Sequence, residues 1–275
     1  MTLQKYTYYI KSSFELLISV RPLGRILQVF LRKGAPGEKS ISLPRQAVSF
    51  KIRGAMDIWS VKETFLDRFY ERYGATVGNG WTVVDIGGGI GDFTTFAARA
   101  HPSNRVFAFE PTPDSFHLLQ ENLAHNQVHN AQGFSQAIWS EEGSLWMDTT
   151  VGEPGQYISH AESEEPGKTS QQTGVIVPCI TLSQAFERLD ISQCDLLKMD
   201  CEGAEYAILF STPEETLVKI QRIVMEYHDN VTEYTHADLE RYLSEHGFTV
   251  QTHQNVVHSY LGYLYAERSQ PVYRS

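Results

Sequence analysis

A short buried strand that runs into a glycine-rich turn, followed by a regular alternation of strands and helices, constrains this sequence most. The strand is predicted over 82–86, and the turn has the sequence GGGIGD at 87–92. Helices separate the later predicted strands except the last two. The strands are predicted over 105–109, 130–138, 195–200, 222–227, 248–253 and 261–266. This order predicts an α/β fold with a seven-stranded, mostly parallel sheet and an antiparallel hairpin at its edge.

The first 56 residues differ from the rest of the chain in charge. They carry ten Lys or Arg against two acids, whereas the whole chain has a net charge of -10. We therefore expect a basic N-terminal extension over 1–56 and a main domain over 57–275. The extension is predicted to hold helices over 14–20 and 25–31 and a strand over 47–52. In the main domain we expect a first helix over 60–73 and a mobile loop at about 150–172.

Composition also narrows the choice of partners and of compartment. The net negative charge argues against nucleic acid, and no apolar run approaches the roughly 20 residues that span a bilayer. Residues 14–33 are apolar on one face, so peripheral membrane contact is an alternative there. Pro22 and Gly24 interrupt this segment, which favours a packed helix pair. Three cysteines without a CxxC pair indicate the reducing cytoplasm. A homo-oligomer is compatible with the sequence.

The glycine turn indicates the charge of its ligand. Gly87, Gly89 and Gly91 let a ligand approach the backbone, but Asp92 replaces the third glycine of a dinucleotide fingerprint. A carboxylate there would repel a pyrophosphate. Asp85 is also acidic, so a cationic ligand such as S-adenosylmethionine is favoured over a nicotinamide cofactor. These five residues are expected to hold its methionine part.

The next two strand ends complete the predicted nucleoside pocket. Glu110 ends the second strand, where a carboxylate accepts hydrogen bonds from both ribose hydroxyls, and Pro111 stiffens the turn after it. Gln136 and Ala137 close the third strand and are expected at the adenine edge.

A second acidic cluster follows at the end of the fourth strand. Asp200 is expected beside the cofactor, and Glu202 in the following turn is expected to shape the acceptor site. Lys198 lies within the buried strand, where we expect it to pair with a carboxylate.

The fifth strand ends in a carboxylate and an imidazole on one face. Glu226 and His228 are two residues apart in extended chain, so either is a candidate base for a hydroxyl that is being methylated. The same groups with Asp200 could instead hold a divalent metal, which is the less favoured interpretation. Tyr157, His160 and the loop around them are expected to close over the acceptor.

Together these segments resemble one family, the FkbM-type methyltransferases. The resemblance covers about residues 50–265 and is carried by VVDIGGGIGDFTTFAAR, VFAFEPTPDSFHLLQENLAHN, ITLSQAF, DLLKMDCEGAEYAIL and IVMEYH. It implies a class I, Rossmann-like methyltransferase fold and transfer of a methyl group from S-adenosylmethionine, usually to oxygen, with S-adenosylhomocysteine as product.

The resemblance also indicates the acceptor class and contains one departure. It implies a small-molecule or glycan acceptor, such as a hydroxyl of a sugar, a polyketide or another specialised metabolite. The family usually has asparagine where this chain has Gly89. A catalytically inactive nucleoside-binding or scaffold protein that retains the fold is therefore the alternative hypothesis.

Overall fold

The computed structural model describes residues 3–31, 37–148, 158–160, 174–255 and 257–269. The helices in these segments are α1 Leu3–Ser19, α2 Leu23–Phe30, α3 Ala55–Lys62, α4 Phe69–Arg72, α5 Asp92–Ala100, α6 Pro113–His125, α7 Leu182–Arg188, α8 Ala204–Ser211, α9 Glu214–Leu217 and α10 His236–Glu245. A π-helix, Glu63–Asp67, lies between α3 and α4. The strands are β1 Lys39–Leu43, β2 Val48–Ile52, β3 Thr82–Ile86, β4 Arg105–Phe109, β5 Ala131–Phe134, β6 Ala137–Ile138, β7 Gly143–Asp148, β8 Ile158–His160, β9 Gly174–Ile180, β10 Leu196–Met199, β11 Arg222–His228, β12 Phe248–Gln254 and β13 Leu261–Arg268.

A seven-stranded sheet forms the centre of the fold, with the strand order β12-β13-β11-β10-β3-β4-β5. Neighbouring strands are parallel except at β13, which is antiparallel to both β11 and β12. The predicted mostly parallel sheet with an antiparallel edge hairpin, which is the class I methyltransferase fold, is thus confirmed.

Both faces of the sheet are covered. Every residue of β3 and of β10 is buried, as expected for central parallel strands. Val84 and Ile86 pack into an apolar core with residues of α7, α8 and α10. Val83 points to the opposite face, where it packs with Phe93 and Ala97 of α5.

The register of the central strands sets the position of the functional groups. Lys198 of β10 pairs with Asp85 of β3 and, on its other side, with Val224 of β11. Two residues further on, Gly87, Asp200 and Glu226 lie level at the carboxyl ends of these strands. Ligands on open α/β sheets bind at this edge.

A smaller four-stranded sheet, in the order β6-β9-β7-β8, follows β5. The segment 130–138, predicted to hold the third strand, contains β5, which ends at Phe134, whereas Ala137 pairs with Cys179 of β9. β7 and β8 form an antiparallel pair. The predicted mobile loop at 150–172, including Tyr157, lies outside the described residues except for the backbone of β8.

The N-terminal segments pack on the main sheet's helices. α1 begins at Leu3, earlier than predicted, and a hairpin of β1 and β2 replaces the single predicted strand. Apolar side chains of both helices and of the hairpin share a core with Ile90 and with Leu118 of α6. Asn122 and Asn126 of α6 hydrogen-bond the β2 backbone. The domain boundary at residue 56 stays a prediction.

The segment predicted as one helix over 60–73 is broken. The π-helix ends at Arg68, whose φ of 52° is left-handed, before α4 begins. Single-turn π-helices are frequent at functional sites. The break directs the side chains of Glu63 and Tyr70 toward the carboxyl end of the sheet, as the contacts given below show.

The outer surface of α1 and α2 is apolar as well as basic. Its exposed large side chains are Tyr6, Tyr9, Ile10, Phe14, Leu17, Ile18, Leu23, Leu27 and Phe30. None of the described helices combines the length and the apolar character that crossing a bilayer requires.

Candidate active site

The glycine turn after β3 depends on backbone conformations that favour glycine. Gly87, Gly89 and Gly91 have φ values of 76°, 52° and 82°. A Cβ on Gly87 would lie 1.9 Å from the carbonyl oxygen of Asp200, so only glycine fits there. A Cβ on Gly89 would meet nothing within 4 Å, so this side of the turn faces open space.

Glu110 holds that turn from the neighbouring strand. Its Oε2 accepts a hydrogen bond of 2.8 Å from the amide of Gly89, and its Oε1 accepts one of 2.9 Å from the amide of Thr112. Pro111 is the single residue between Glu110 and Thr112. Burial raises the pKa of Glu110. The side chain of Thr112 also donates to this carboxylate, whose two oxygens together offer about four acceptor sites.

Asp85 does not face the open side of the turn, which corrects its predicted contact with the methionine part of the ligand. Its side chain is fully buried and lies 3.0 Å from the ammonium of Lys198, and it accepts a 2.6 Å hydrogen bond from Thr94. Lys198 also donates to the carbonyl of Gly87. The prediction that Lys198 pairs with a carboxylate is thus confirmed. Lys198 connects the buried Asp85 to the backbone of the glycine turn.

Asp92 begins α5 beside the turn. Its carboxylate accepts a 2.5 Å hydrogen bond from Thr64 of the π-helix, and burial raises its pKa. It therefore joins the glycine turn to the segment that covers this edge of the sheet. Its predicted contact with the methionine part stays a prediction.

The predicted adenine residues lie beyond the end of β5. Ala137 is only 6% exposed and belongs to the small sheet, because it pairs with Cys179. Gln136, which precedes it, is half-buried. Gln136 is thus more accessible than the Ala137 side chain, and its contact with the adenine edge stays a prediction.

A group of carboxylates lies at the ends of β10 and β11. Asp200 accepts a 3.0 Å hydrogen bond from the hydroxyl of Tyr70. Burial, and next the charge of Asp200, raise the pKa of Glu226 well above its ordinary value. The same two causes raise the pKa of Glu63 to about 8, although Trp59 donates a 2.8 Å hydrogen bond to it. Carboxyl groups are therefore concentrated at this edge, and burial together with their mutual repulsion favours the neutral form of Glu226 and Glu63.

His228 lies between two carboxylates in the same group. Its Nε2 is 3.2 Å from Glu202 and its Nδ1 is 3.6 Å from Glu205. Burial alone would lower its pKa, but the two carboxylates outweigh burial and raise the pKa to about 11. Both ring nitrogens of His228 thus face carboxylates, and its predicted role as a general base stays a prediction.

The turn after β10 brings Glu202 to His228. Glu202 has a left-handed φ of 56°, and Gly203 follows with a φ of 102°. Glu205, which is fully buried in α8, accepts hydrogen bonds from the amides of Cys201 and Gly203 and so holds this turn.

Sequence reasoning missed Glu63 and Tyr70. Both lie in the segment predicted as one regular helix, and Val61, Phe65 and Phe69 have the apolar spacing of such a helix. The π-helix changes the direction of the side chains after residue 62. Acidic and tyrosine side chains at the edge of an otherwise apolar helical pattern were the available signal.

The family comparison agrees with this site. A model of the methyltransferase FkbM domain matches residues 85–250. The chain belongs to the FkbM methyltransferase family. It is therefore an S-adenosylmethionine-dependent methyltransferase, and the match spans the glycine turn and the carboxylates of β10 and β11, though not Glu63.

Two curated relatives and one solved structure are similar to this FkbM-family chain. Methyltransferase 1 of Beauveria bassiana is 28% identical over 202 residues, which cover 69% of this chain and 80% of the relative. The 31-O-demethyl-FK506 methyltransferase FkbM of Streptomyces tacrolimicus is 26% identical and covers 79% of this chain and 91% of its own. A crystal structure of methyltransferase FkbM from Methylobacillus flagellatus has a TM-score of 0.49 at 12% identity, over 76% of this chain and 53% of its own.

The residues of the glycine turn fit the family's cofactor. The open side of Gly89 provides a cradle that a side chain would otherwise fill, and the carboxylate of Glu110 lies next to it. Gly89 also keeps the left-handed backbone conformation that asparagine tolerates. The difference at this position therefore leaves the shape of the turn intact, and the alternative of an inactive scaffold loses its only support.

Proposed function

We propose that this enzyme methylates a hydroxyl oxygen of a small-molecule or glycan acceptor. The observation that carries the proposal is the half-buried Glu226, level with Asp200 at the ends of two parallel strands, with Asp200 between it and the glycine turn. A hydroxyl that is methylated must lose its proton, so a carboxylate beside the methyl donor supplies what oxygen methylation needs.

The cofactor contacts that we propose come from the glycine turn and the two strands beside β3. S-adenosylmethionine supplies a methyl group activated on a sulfonium. Glu110 accepts hydrogen bonds from the ribose hydroxyls, and the backbone at Gly87, Gly89 and Gly91 lines the methionine part. Gln136 contacts the adenine edge, while Asp85 acts through Lys198 by positioning the turn. Asp200, level with Gly87, borders the cofactor and the acceptor.

We assign proton removal to Glu226. It projects from β11 on the face that Tyr70 and Glu63 cover, and described residues offer its carboxylate no hydrogen-bond donor. Burial, and next the charge of Asp200, raise the pKa of this carboxyl, so its ionised form is a stronger base than an ordinary carboxylate. General-base catalysis of this kind contributes about 10²–10⁴-fold to a rate. His228 and Glu202 then orient the acceptor.

The acceptor class that we propose is a hydroxylated specialised metabolite. One relative is named for 31-O-demethyl-FK506, so its methylation is at oxygen. The three described cysteines are free thiols, and burial raises the pKa of each. Unreactive free thiols fit an enzyme that works on such a metabolite in the cytoplasm.

Cofactor binding is the first test of this proposal. We expect S-adenosylhomocysteine to raise the melting temperature of the protein, and Glu110→Ala to weaken its binding by about 1.5–3 kcal/mol, because hydrogen bonds to a carboxylate are lost. Asp114→Ala, at an exposed acid of the next helix, is the matched control and should bind like wild type. Absence of stabilisation at millimolar ligand would contradict the proposal.

The acceptor can be identified by transferring a labelled methyl group to it. Cell extract incubated with the enzyme and a labelled methyl donor should yield a metabolite whose mass spectrum shows one added methyl on oxygen. Labelling on nitrogen or carbon would refute the hydroxyl assignment while leaving the methyltransferase activity in place.

A further inference from the structure

The group around His228 has the composition and spacing of a metal site. One ligand atom from each of Asp200, Glu202 and His228 lies within 4.8 Å of the others. Two carboxylates and one imidazole are ligands that Mn²⁺ and Mg²⁺ accept, whereas the absence of a thiolate among them disfavours a soft metal.

His228 is built in as metal-ligating histidines commonly are. It is 6% exposed, and its Nε2 points toward Glu202 and into the group. Its Nδ1 faces the carboxylate of Glu205 at 3.6 Å. A carboxylate behind the second ring nitrogen orients a ligating imidazole and raises its basicity. Glu205 holds the same turn that carries Glu202, so ring and turn are positioned together.

Acidic side chains outnumber basic ones at this edge among the described residues. Asp200, Glu202, Glu205, Glu226 and Glu63 bring five carboxylates together, and Lys198 is already paired with Asp85. Buried like charges are costly unless a cation is present. A divalent ion bound beside Asp200 would offset two of these charges.

We propose that Asp200, Glu202 and His228 bind one divalent cation, Mn²⁺ or Mg²⁺, which coordinates the acceptor's hydroxyl oxygen. The assignment of the acceptor rests on the proposed function, whereas the cation site rests on the three side chains alone. Three protein ligands leave half of an octahedral shell for water or acceptor oxygens. Coordination makes the hydroxyl more acidic. Its proton passes to Glu226, and the oxygen then bonds to the methyl carbon as the carbon–sulfur bond breaks.

The test is a titration of the full chain with Mn²⁺. Binding is measured as the loss of the free Mn²⁺ signal in electron paramagnetic resonance. We expect one bound ion in wild type and an affinity at least about tenfold lower in Glu202→Gln, because a ligand oxygen is lost. Mg²⁺ should compete for the same site.

A second, exposed group supplies the matched control. Glu38, His117 and Glu121 also bring three potential ligand atoms together, but Lys51 already pairs with both carboxylates. His117→Ala should therefore bind Mn²⁺ as wild type does. If His117→Ala loses the ion and Glu202→Gln keeps it, the cation belongs to the surface group and the proposal is overturned.

Binding of S-adenosylhomocysteine, measured on the same samples, separates this proposal from the function. If S-adenosylhomocysteine binds but wild type takes up no Mn²⁺ with or without it, the cation site is refuted and the methyltransferase stands. If Mn²⁺ binds as expected but S-adenosylhomocysteine does not, the cation site stands and the proposed function fails.

Discussion

The two halves of the active site are built in different ways. The glycine turn at 87–92 is continuous in sequence, and its shape follows from positive φ values and from the contact of Gly87 with Asp200. The carboxylate group is assembled from three distant segments that carry Glu63, Asp200 to Glu205, and Glu226 to His228. The glycine turn, the backbone half of the site, depends on backbone conformation. The carboxylate group, the side-chain half, depends on how side chains from separate segments come together.

This difference explains why the backbone half could be predicted from the sequence better than the side-chain half. A glycine pattern reports a local backbone requirement directly. The environment of a carboxylate depends on which strands are neighbours and on what covers them. Lys198 joins the halves, since it contacts Asp85 and Gly87 on one side and its pKa is raised by Asp85 and then by Asp200, against the effect of burial.

Breaking that link should have the largest effect on stability. Lys198→Met leaves Asp85 as a buried charge without its cation, so we expect a loss of about 3–5 kcal/mol in the free energy of unfolding. Urea unfolding followed by circular dichroism measures it. Lys11→Met, at an exposed pair with Glu15, is the control and should change stability by less than about 1 kcal/mol. Similar losses in both variants would show that Lys198 is not the link.

A substitution in the glycine turn should have the next largest effect. In Gly87→Ala the new Cβ meets the Asp200 carbonyl at 1.9 Å, at a φ of 76°. Strain of about 1–3 kcal/mol is expected, with a fall in affinity for S-adenosylhomocysteine of at least about tenfold. Isothermal titration calorimetry measures the affinity. Wild-type affinity would mean that the turn does not need this contact.

The smallest effect is expected two residues further on. Gly89→Asn introduces the residue that the family usually has, at a φ of 52° and with no atom within 4 Å of the new Cβ. Asparagine tolerates this conformation, so we expect the dissociation constant for S-adenosylhomocysteine to change by no more than about threefold. A large loss would show that the open side of the turn is tighter than the geometry indicates.

Much of the fold could be predicted because its strands are marked by apolar runs and by turns. The seven strands of the main sheet and their edge hairpin follow from that pattern. The strand β9, GVIVPCI, was missed because it follows a Gly- and Pro-containing acidic segment and contains Pro178 itself. β1 was missed because KSISL is short and mostly polar.

The site was predicted in part, for reasons that individual residues make clear. Glu226 and His228 were identified from their spacing on one strand. The partners of His228 were not, because Glu202 reaches it through a left-handed turn that no local pattern marks. Glu63 was missed because apolar spacing around it predicts a regular helix, and Arg68 is not a residue that signals a helix break. Asp85 was assigned to the ligand because its pairing with Lys198 depends on strand register.

The most direct test of this account is to measure cofactor affinity and turnover separately in Glu226→Gln. Since Glu226 belongs to the side-chain half, its loss should lower kcat by about 10²–10⁴-fold and leave the dissociation constant of S-adenosylhomocysteine within about threefold of wild type. Glu233→Gln, at an exposed acid on the following loop, should leave both unchanged. Wild-type kcat in Glu226→Gln, or a loss that lies wholly in cofactor affinity, would contradict the division of the site into these two halves.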